Sequence, residues 1–190
     1  PWAGARPALA FGPSAPQRPS VLMRMLGMDG AAHDEDCLTL CVWTPARVED
    51  GPDGGRRPVL VWLHGGAFTA GGCALPVYDG AALARRGDAV VVTVQYRLGA
   101  LGWLALPELL DAGAAGANFG LLDQIAALRW VREHAERLGG DPDRITVFGE
   151  SAGAMSIGAL LGAPAARGLF SRAILQSGAA HNVTPRAGAE

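Results

Sequence analysis

Gly149-Glu150-Ser151-Ala152-Gly153 follows a short apolar run, Ile145-Thr146-Val147-Phe148, and leads into a helix-like segment from Ala152 to Leu161. The order is strand, sharp turn, helix. A serine held at such a turn projects its hydroxyl from the top of a sheet, and the flanking glycines leave room for crowded backbone. Ser151 is therefore the candidate nucleophile. The five-residue pattern alone is weak in a chain with 27 glycines. Its weight comes from the strand before it, the helix after it and a second glycine motif upstream.

The rest of the chain supplies the sheet that such a turn needs. Leu38 to Trp43 alternates weakly and ends at Thr44-Pro45, the pattern of a strand near a sheet edge. Residues 46 to 57 are charged and Gly-rich, and read as a hairpin-type connection into the apolar run Pro58 to Leu63. Further continuous apolar runs lie at Ala89 to Val94, Ile145 to Phe148 and Ala173 to Leu175. Runs of this kind fit strands covered on both faces, as in parallel sheets. Between them, Tyr78 to Arg86 reads as a short helix. Leu122, Ile125, Leu128, Val131, Ala135 and Leu138 place an apolar stripe on a longer one, which Gly139-Gly140-Asp141-Pro142 stops. Strands alternating with helices predict an α/β fold. Residues 1 to 36, rich in Pro, Gly and Ala, read as irregular surface chain.

Bulk composition excludes several function classes. The chain of 190 residues is 49% hydrophobic and 18% charged with a formal net charge of -2, and its Lys and Arg are scattered. This is not a nucleic-acid surface. No run of about 18 apolar residues marks a membrane span. Cys37, Cys41 and Cys73 lack metal-ligand spacing, and no metal or organic cofactor is expected. The chain begins Pro1-Trp2 and stops soon after a strand-like run, so it reads as a piece of something longer.

His64-Gly65-Gly66-Ala67-Phe68 directly follows the apolar strand Pro58 to Leu63. It is either a plain strand-to-loop turn or a set of backbone N–H donors aimed above the sheet, where they would stabilise the oxyanion of an acyl-transfer intermediate. Ala152, directly after the serine, would add a further N–H. A nucleophilic serine also needs a base, held in its working tautomer by a carboxylate.

These motifs give the chain a resemblance to the type-B carboxylesterase/lipase family, which includes carboxylesterases, cholinesterases and para-nitrobenzyl-esterase-like enzymes. The resemblance is carried by Glu35-Asp36-Cys37-Leu38, Val42-Trp43-Thr44-Pro45, Val61 to Phe68, Tyr96-Arg97-Leu98-Gly99, Asn118 to Gln124, Gly149 to Gly153 and Gln176-Ser177-Gly178. Thr39, Cys41 and Gln95 depart from the family's usual Tyr, Asn and Asn. The resemblance implies an α/β-hydrolase fold, with residues 1–190 as the N-terminal part of a mostly parallel sheet with flanking helices. It also implies Ser151 as nucleophile, Gly66, Ala67 and Ala152 as oxyanion donors, and a small-molecule carboxylic ester as substrate.

The fold orders its triad Ser, acid, His. After Ser151 the only histidine is His181, and no Asp or Glu lies between Ala152 and Ala189. The resemblance places acid and histidine beyond residue 190. His64 reads as part of the oxyanion turn, His134 as a helix-face residue and His33 as a loop residue. Glu150, adjacent to the serine, is expected to point elsewhere. The resemblance implies that Arg97 and Asp123 form a buried structural salt bridge, and it gives Glu35 a similar role with an Arg upstream of Pro1. Phe68, Trp103 and Phe119 either line an acyl pocket or fill core. The alternatives to a type-B esterase are a cholinesterase-like non-catalytic binding protein and a hormone-sensitive-lipase-type esterase.

Overall fold

The structure is a computed structural model that describes residues 7–19, 21–25, 32–45, 55–106 and 118–181. Among the described residues, five strands form one sheet in the order β1-β3-β2-β4-β5. They are β1 (Leu40–Trp43), β2 (Arg57–Leu63), β3 (Val90–Val94), β4 (Gly140–Glu150) and β5 (Arg172–Gln176). β3, β2, β4 and β5 run parallel, and β1 pairs antiparallel with β3 at one edge. This is the mostly parallel, helix-flanked sheet of an α/β-hydrolase.

Burial follows position in the sheet. Every residue of β3 is buried, whereas on β5, at the other edge, Ile174 remains half exposed. Two helices make most of the cover. α4 (Phe119–His134) turns Ile125, Leu128 and Val131 onto the sheet. α5 (Ala152–Gly162) buries Ala154, Ile157 and Leu160. Ile125, Leu128, Val131, Ile157 and Leu160 meet Val59, Val61, Leu63, Val92, Val94, Ile145 and Val147 in one core. Burying a Val, Leu or Ile side chain contributes about 1.5–3 kcal/mol, so this cluster is the main source of stability among the described residues.

Several boundaries differ from the sequence expectation. The segment read as a helix from Tyr78 to Arg86 is a 3₁₀ turn, Pro76–Tyr78, followed by α2 (Ala81–Gly87), with α3 (Gly99–Trp103) coming after β3. The apolar stripe of α4 omits Leu122, which is 37% exposed, and starts from Gly120, Asp123 and Gln124 instead. α4 ends at His134, and Gly139, in the left-handed conformation, stops the 3₁₀ turn Glu136–Leu138 that follows it, while Gly140-Asp141-Pro142 already belongs to β4. Within the stretch read as irregular, Val21–Met25 forms one turn of helix, α1, and Ser14 bridges His33. The connection expected over residues 46 to 57 lies, apart from its last three residues, outside the described residues.

Candidate active site

β2 and β4 end side by side, with Leu63 opposite Gly149, and both chains turn out of the sheet there. At the end of β4, Ser151 adopts φ 51° and ψ -118° before α5 begins. A non-glycine residue in such a conformation carries about 1–3 kcal/mol of strain, which the surrounding contacts must hold. The Ser151 N–H donates to Gln176 O at 2.8 Å, and Ser151 O accepts from the Met155 N–H at 2.9 Å. The turn is thereby fixed from β5 on one side and from its own helix on the other.

The flanking glycines are required by close approach. A methyl on Gly153 would lie 2.0 Å from Leu63 O, and one on Gly149 would lie 2.7 Å from the same oxygen. The last carbonyl of β2 is thus pressed against both, and no side chain fits.

The His64-Gly65-Gly66 turn leaves β2 directly against this serine. A methyl on Gly65 would sit 3.3 Å from Ser151 Cβ and 2.6 Å from Glu150 Oε2. Gly66, Ala67 and Phe68 follow at φ 114°, 52° and 62°, three successive left-handed residues. The N–H groups of Thr69 and Ala70 both return to Gly66 O, at 3.1 and 3.0 Å, and close the turn. Among the described residues, the N–H groups of Gly66, Ala67 and Ala152 donate to no protein acceptor. Gly66, Ala67, Glu150 and Ser151 line one open cleft of about 920 Å³ together with Gln17, Leu98 and Leu101. Glu150 therefore does not point away from the site, as the sequence suggested. Its carboxylate lies over Gly65, because the backbone reverses at Ser151 and not before it.

His64 is wholly buried, with its ring stacked on Tyr96 at 4.3 Å between centroids. Its Nδ1 lies 2.8 Å from Gly65 O, an acceptor only, so Nδ1 carries the proton. Burial pulls its pKa down to about 4, and the ring is neutral. The Tyr96 hydroxyl donates to His64 O at 2.6 Å, bracing the turn from β3's side. His134 stacks on Trp130 with Nδ1 against Trp130 O, on the exposed side of α4, and His33 is exposed. Neither of these contacts involves Ser151.

One residue that holds the turn carried no sequence signal. Gln17, from the proline-rich segment, donates Nε2–H to Gly71 O at 2.8 Å and accepts the Gly71 N–H at 2.9 Å. Gly71 in turn packs on the His64 ring, where a methyl would meet Nδ1 at 2.3 Å. Side chain to backbone contacts across 54 residues leave no periodicity or spacing to read.

The Arg97–Asp123 pair forms as expected, with Nε to Oδ2 and Nη2 to Oδ1 both at 2.8 Å. The Asp123 side chain is 6% exposed, but Arg97 keeps 33% of its surface, so only the acid is fully enclosed. Phe119 lies under the guanidinium at 5.0 Å, and Phe68 packs on Trp103 at 4.5 Å.

Residues 1–185 match the model of the carboxylesterase family. The chain belongs to the carboxylesterase family. It is 49% identical over 183 residues to a para-nitrobenzyl esterase of Bacillus subtilis (strain 168), covering 96% of this chain and 36% of that protein. It is 55% identical over 144 residues to an acetylcholinesterase of Gallus gallus, covering 76% of this chain and 18% of that one. Among solved structures, a thermophilic para-nitrobenzyl esterase superimposes with a TM-score of 0.80 at 50% identity, over 90% of this chain and 34% of that chain. A carboxylesterase of Geobacillus stearothermophilus gives a TM-score of 0.79 at 49% identity, over 94% and 34%. This carboxylesterase-family chain thus spans about a third of the length of the para-nitrobenzyl esterase and the two structures it matches. No helix among its described residues is long and apolar enough to cross a membrane.

Proposed function

We propose that residues 1–190 form the N-terminal part of an α/β-hydrolase domain that hydrolyses small-molecule carboxylic esters through an acyl-enzyme on Ser151. The observation that carries this reading is the strained Ser151 turn lying against a glycine turn whose N–H groups at Gly66 and Ala67 are unspent. In the reaction a base takes the Ser151 Oγ proton while Oγ bonds to the ester carbonyl carbon. The carbonyl oxygen becomes an oxyanion, which the N–H groups of Gly66, Ala67 and Ala152 stabilise as fixed dipoles. Collapse of the intermediate expels the alcohol, which leaves with the proton from the base, and water then hydrolyses the acyl group by the same route. The base is a histidine oriented by an acidic residue, both placed further along the protein than Glu190. The names of the relatives, para-nitrobenzyl esterase among them, support esters as the substrate class.

The test uses the full-length protein with a para-nitrophenyl ester and a fluorophosphonate probe. Wild type is expected to turn over the ester and to be labelled at Ser151. Ser151→Ala is expected to lose both, with turnover down roughly 10⁴-fold or more. A folded full-length protein that neither labels nor hydrolyses would favour the non-catalytic binding protein.

A further inference from the structure

Cys41 and Cys73 have no role in this chemistry, yet their sulfurs lie 3.7 Å apart. They come from distant parts of the chain, and the sheet brings them together in a defined way. Cys41 on β1 is paired directly with Thr93 on β3. Thr93 Oγ1 donates to Cys73 O at 2.8 Å, and the Cys73 N–H donates to Gln95 Oε1 at 3.0 Å. β3 thus carries Cys73 on its face, beside the strand that carries Cys41. Cys73 is 2% exposed, whereas Cys41 is partly exposed. All three cysteines are free thiols, and Cys37 is buried in a separate cluster with Tyr96 and Leu98.

We propose that Cys41 and Cys73 form a dithiol modification site that takes a small-molecule disulfide and closes to a Cys41–Cys73 disulfide. Cys41 is the attacking sulfur, because it is the less buried of the two. As thiolate it bonds to one sulfur of the small disulfide, whose S–S bond breaks and releases one small thiol. Cys73 then gives up its proton, bonds to Cys41 Sγ and expels the second small thiol. In sum, two protein thiols are oxidised and one disulfide is reduced to two thiols, with both protons leaving on the released thiols. The hydrogen bond from Cys73 holds the Cys41 pKa below the usual thiol value, and the same contact together with burial pushes Cys73 up. This matches an attacking and a resolving role. The sulfurs need only close from 3.7 Å to the roughly 2.0 Å of a disulfide bond, within reach of side-chain rotation. The product would tie edge strand β1 to the loop that continues from the oxyanion turn through Gly71.

The full-length protein is incubated under native conditions with 2-hydroxyethyl disulfide, then denatured, alkylated and mapped by peptide mass spectrometry. The expected result is loss of alkylation at both Cys41 and Cys73, a linked peptide containing both, and recovery of both thiols with dithiothreitol. Cys73→Ser is expected to stop at a stable mixed disulfide on Cys41, whereas Cys37→Ser is expected to leave the linkage unchanged. Wild type that stays reduced, that accumulates the mixed disulfide, or that links Cys37 overturns the proposal. None of these readouts depends on ester hydrolysis, so the site stands or falls apart from the esterase reading.

Discussion

Arg97 and Asp123 meet in a two-pronged ion pair that joins the loop after β3 to the first turns of α4, and Asp123 also accepts the Arg97 backbone N–H at 3.0 Å. The two partners are not equivalent, since one is enclosed and the other can reach water. Arg97→Ala, which strands a buried carboxylate, is expected to destabilise by about 3 kcal/mol or more. Asp123→Ala is expected to cost less, because the partly exposed guanidinium can hydrate. Urea unfolding of the two variants beside wild type measures the asymmetry, and equal costs would show that Asp123 gains solvent when its partner is lost.

The close approach of Leu63 O sets Gly153 apart from the glycine at the far end of the same helix. Gly153→Ala is expected to cost several kcal/mol or abolish folding, since its methyl would sit 2.0 Å from a backbone oxygen. Gly162→Ala, at the other end of α5 with nothing within 4 Å, is expected to be neutral or to stabilise by about 0.4–1 kcal/mol. Thermal melts of both variants check the contrast. A Gly153→Ala protein as stable as wild type would mean that β2 and α5 do not touch as described.

His64 links stability to pH. Its pKa is about 4 in the fold against about 6.5 in the unfolded chain, so between these values the unfolded state binds more protons. The contribution of the neutral buried ring is full above pH 6.5 and is lost as pH falls toward 4, by about 3 kcal/mol in all. Denaturant midpoints measured from pH 7 to pH 4.5 are expected to fall more steeply for wild type than for His64→Gln. Parallel slopes would show that the ring protonates without penalty.

The 190-residue chain assayed alone, beside the full-length protein, is expected to give no serine-dependent ester turnover. The described contacts of His64 and His134 are made with carbonyl oxygens, not with Ser151. An oxyanion hole without a base can leave about 10³ to 10⁴ over water, but only in an otherwise intact enzyme. Turnover by the isolated chain that approaches the full-length rate and vanishes in Ser151→Ala would locate a base within these residues, and His181 would be the first to substitute.

Gln17 lines the same cleft as Ser151 and is expected to act on the site chiefly by holding Gly71 and through it the His64 turn. In the full-length protein, Gln17→Ala is expected to lower kcat about tenfold with a smaller change in KM, because a misplaced oxyanion donor weakens the transition state more than substrate binding. An unchanged kcat would confine Gln17 to packing.

What the sequence determined by itself was local and periodic. The apolar runs marked β2, β3 and β4, and the glycines at 149 and 153 marked a turn with no room for side chains, because each signal lies within a few residues of the structure it encodes. The Arg97–Asp123 pair was legible through motif resemblance alone. The helix boundaries were less so. Leu122 looked like core from its spacing, but the face α4 buries is set by Asp123 and Gln124, which the spacing of apolar residues cannot show. The tertiary structure decided everything that depends on which strands are neighbours. β2 lies between β3 and β4, so His64 comes to rest on Tyr96, Gly65 on Ser151, and the Glu150 carboxylate over the turn. The same strand order sets Cys41 beside Cys73 and lets Gln17 reach Gly71. These contacts join residues 32 to 86 positions apart, and only the pairing register of the sheet fixes which of the many possible approaches is made.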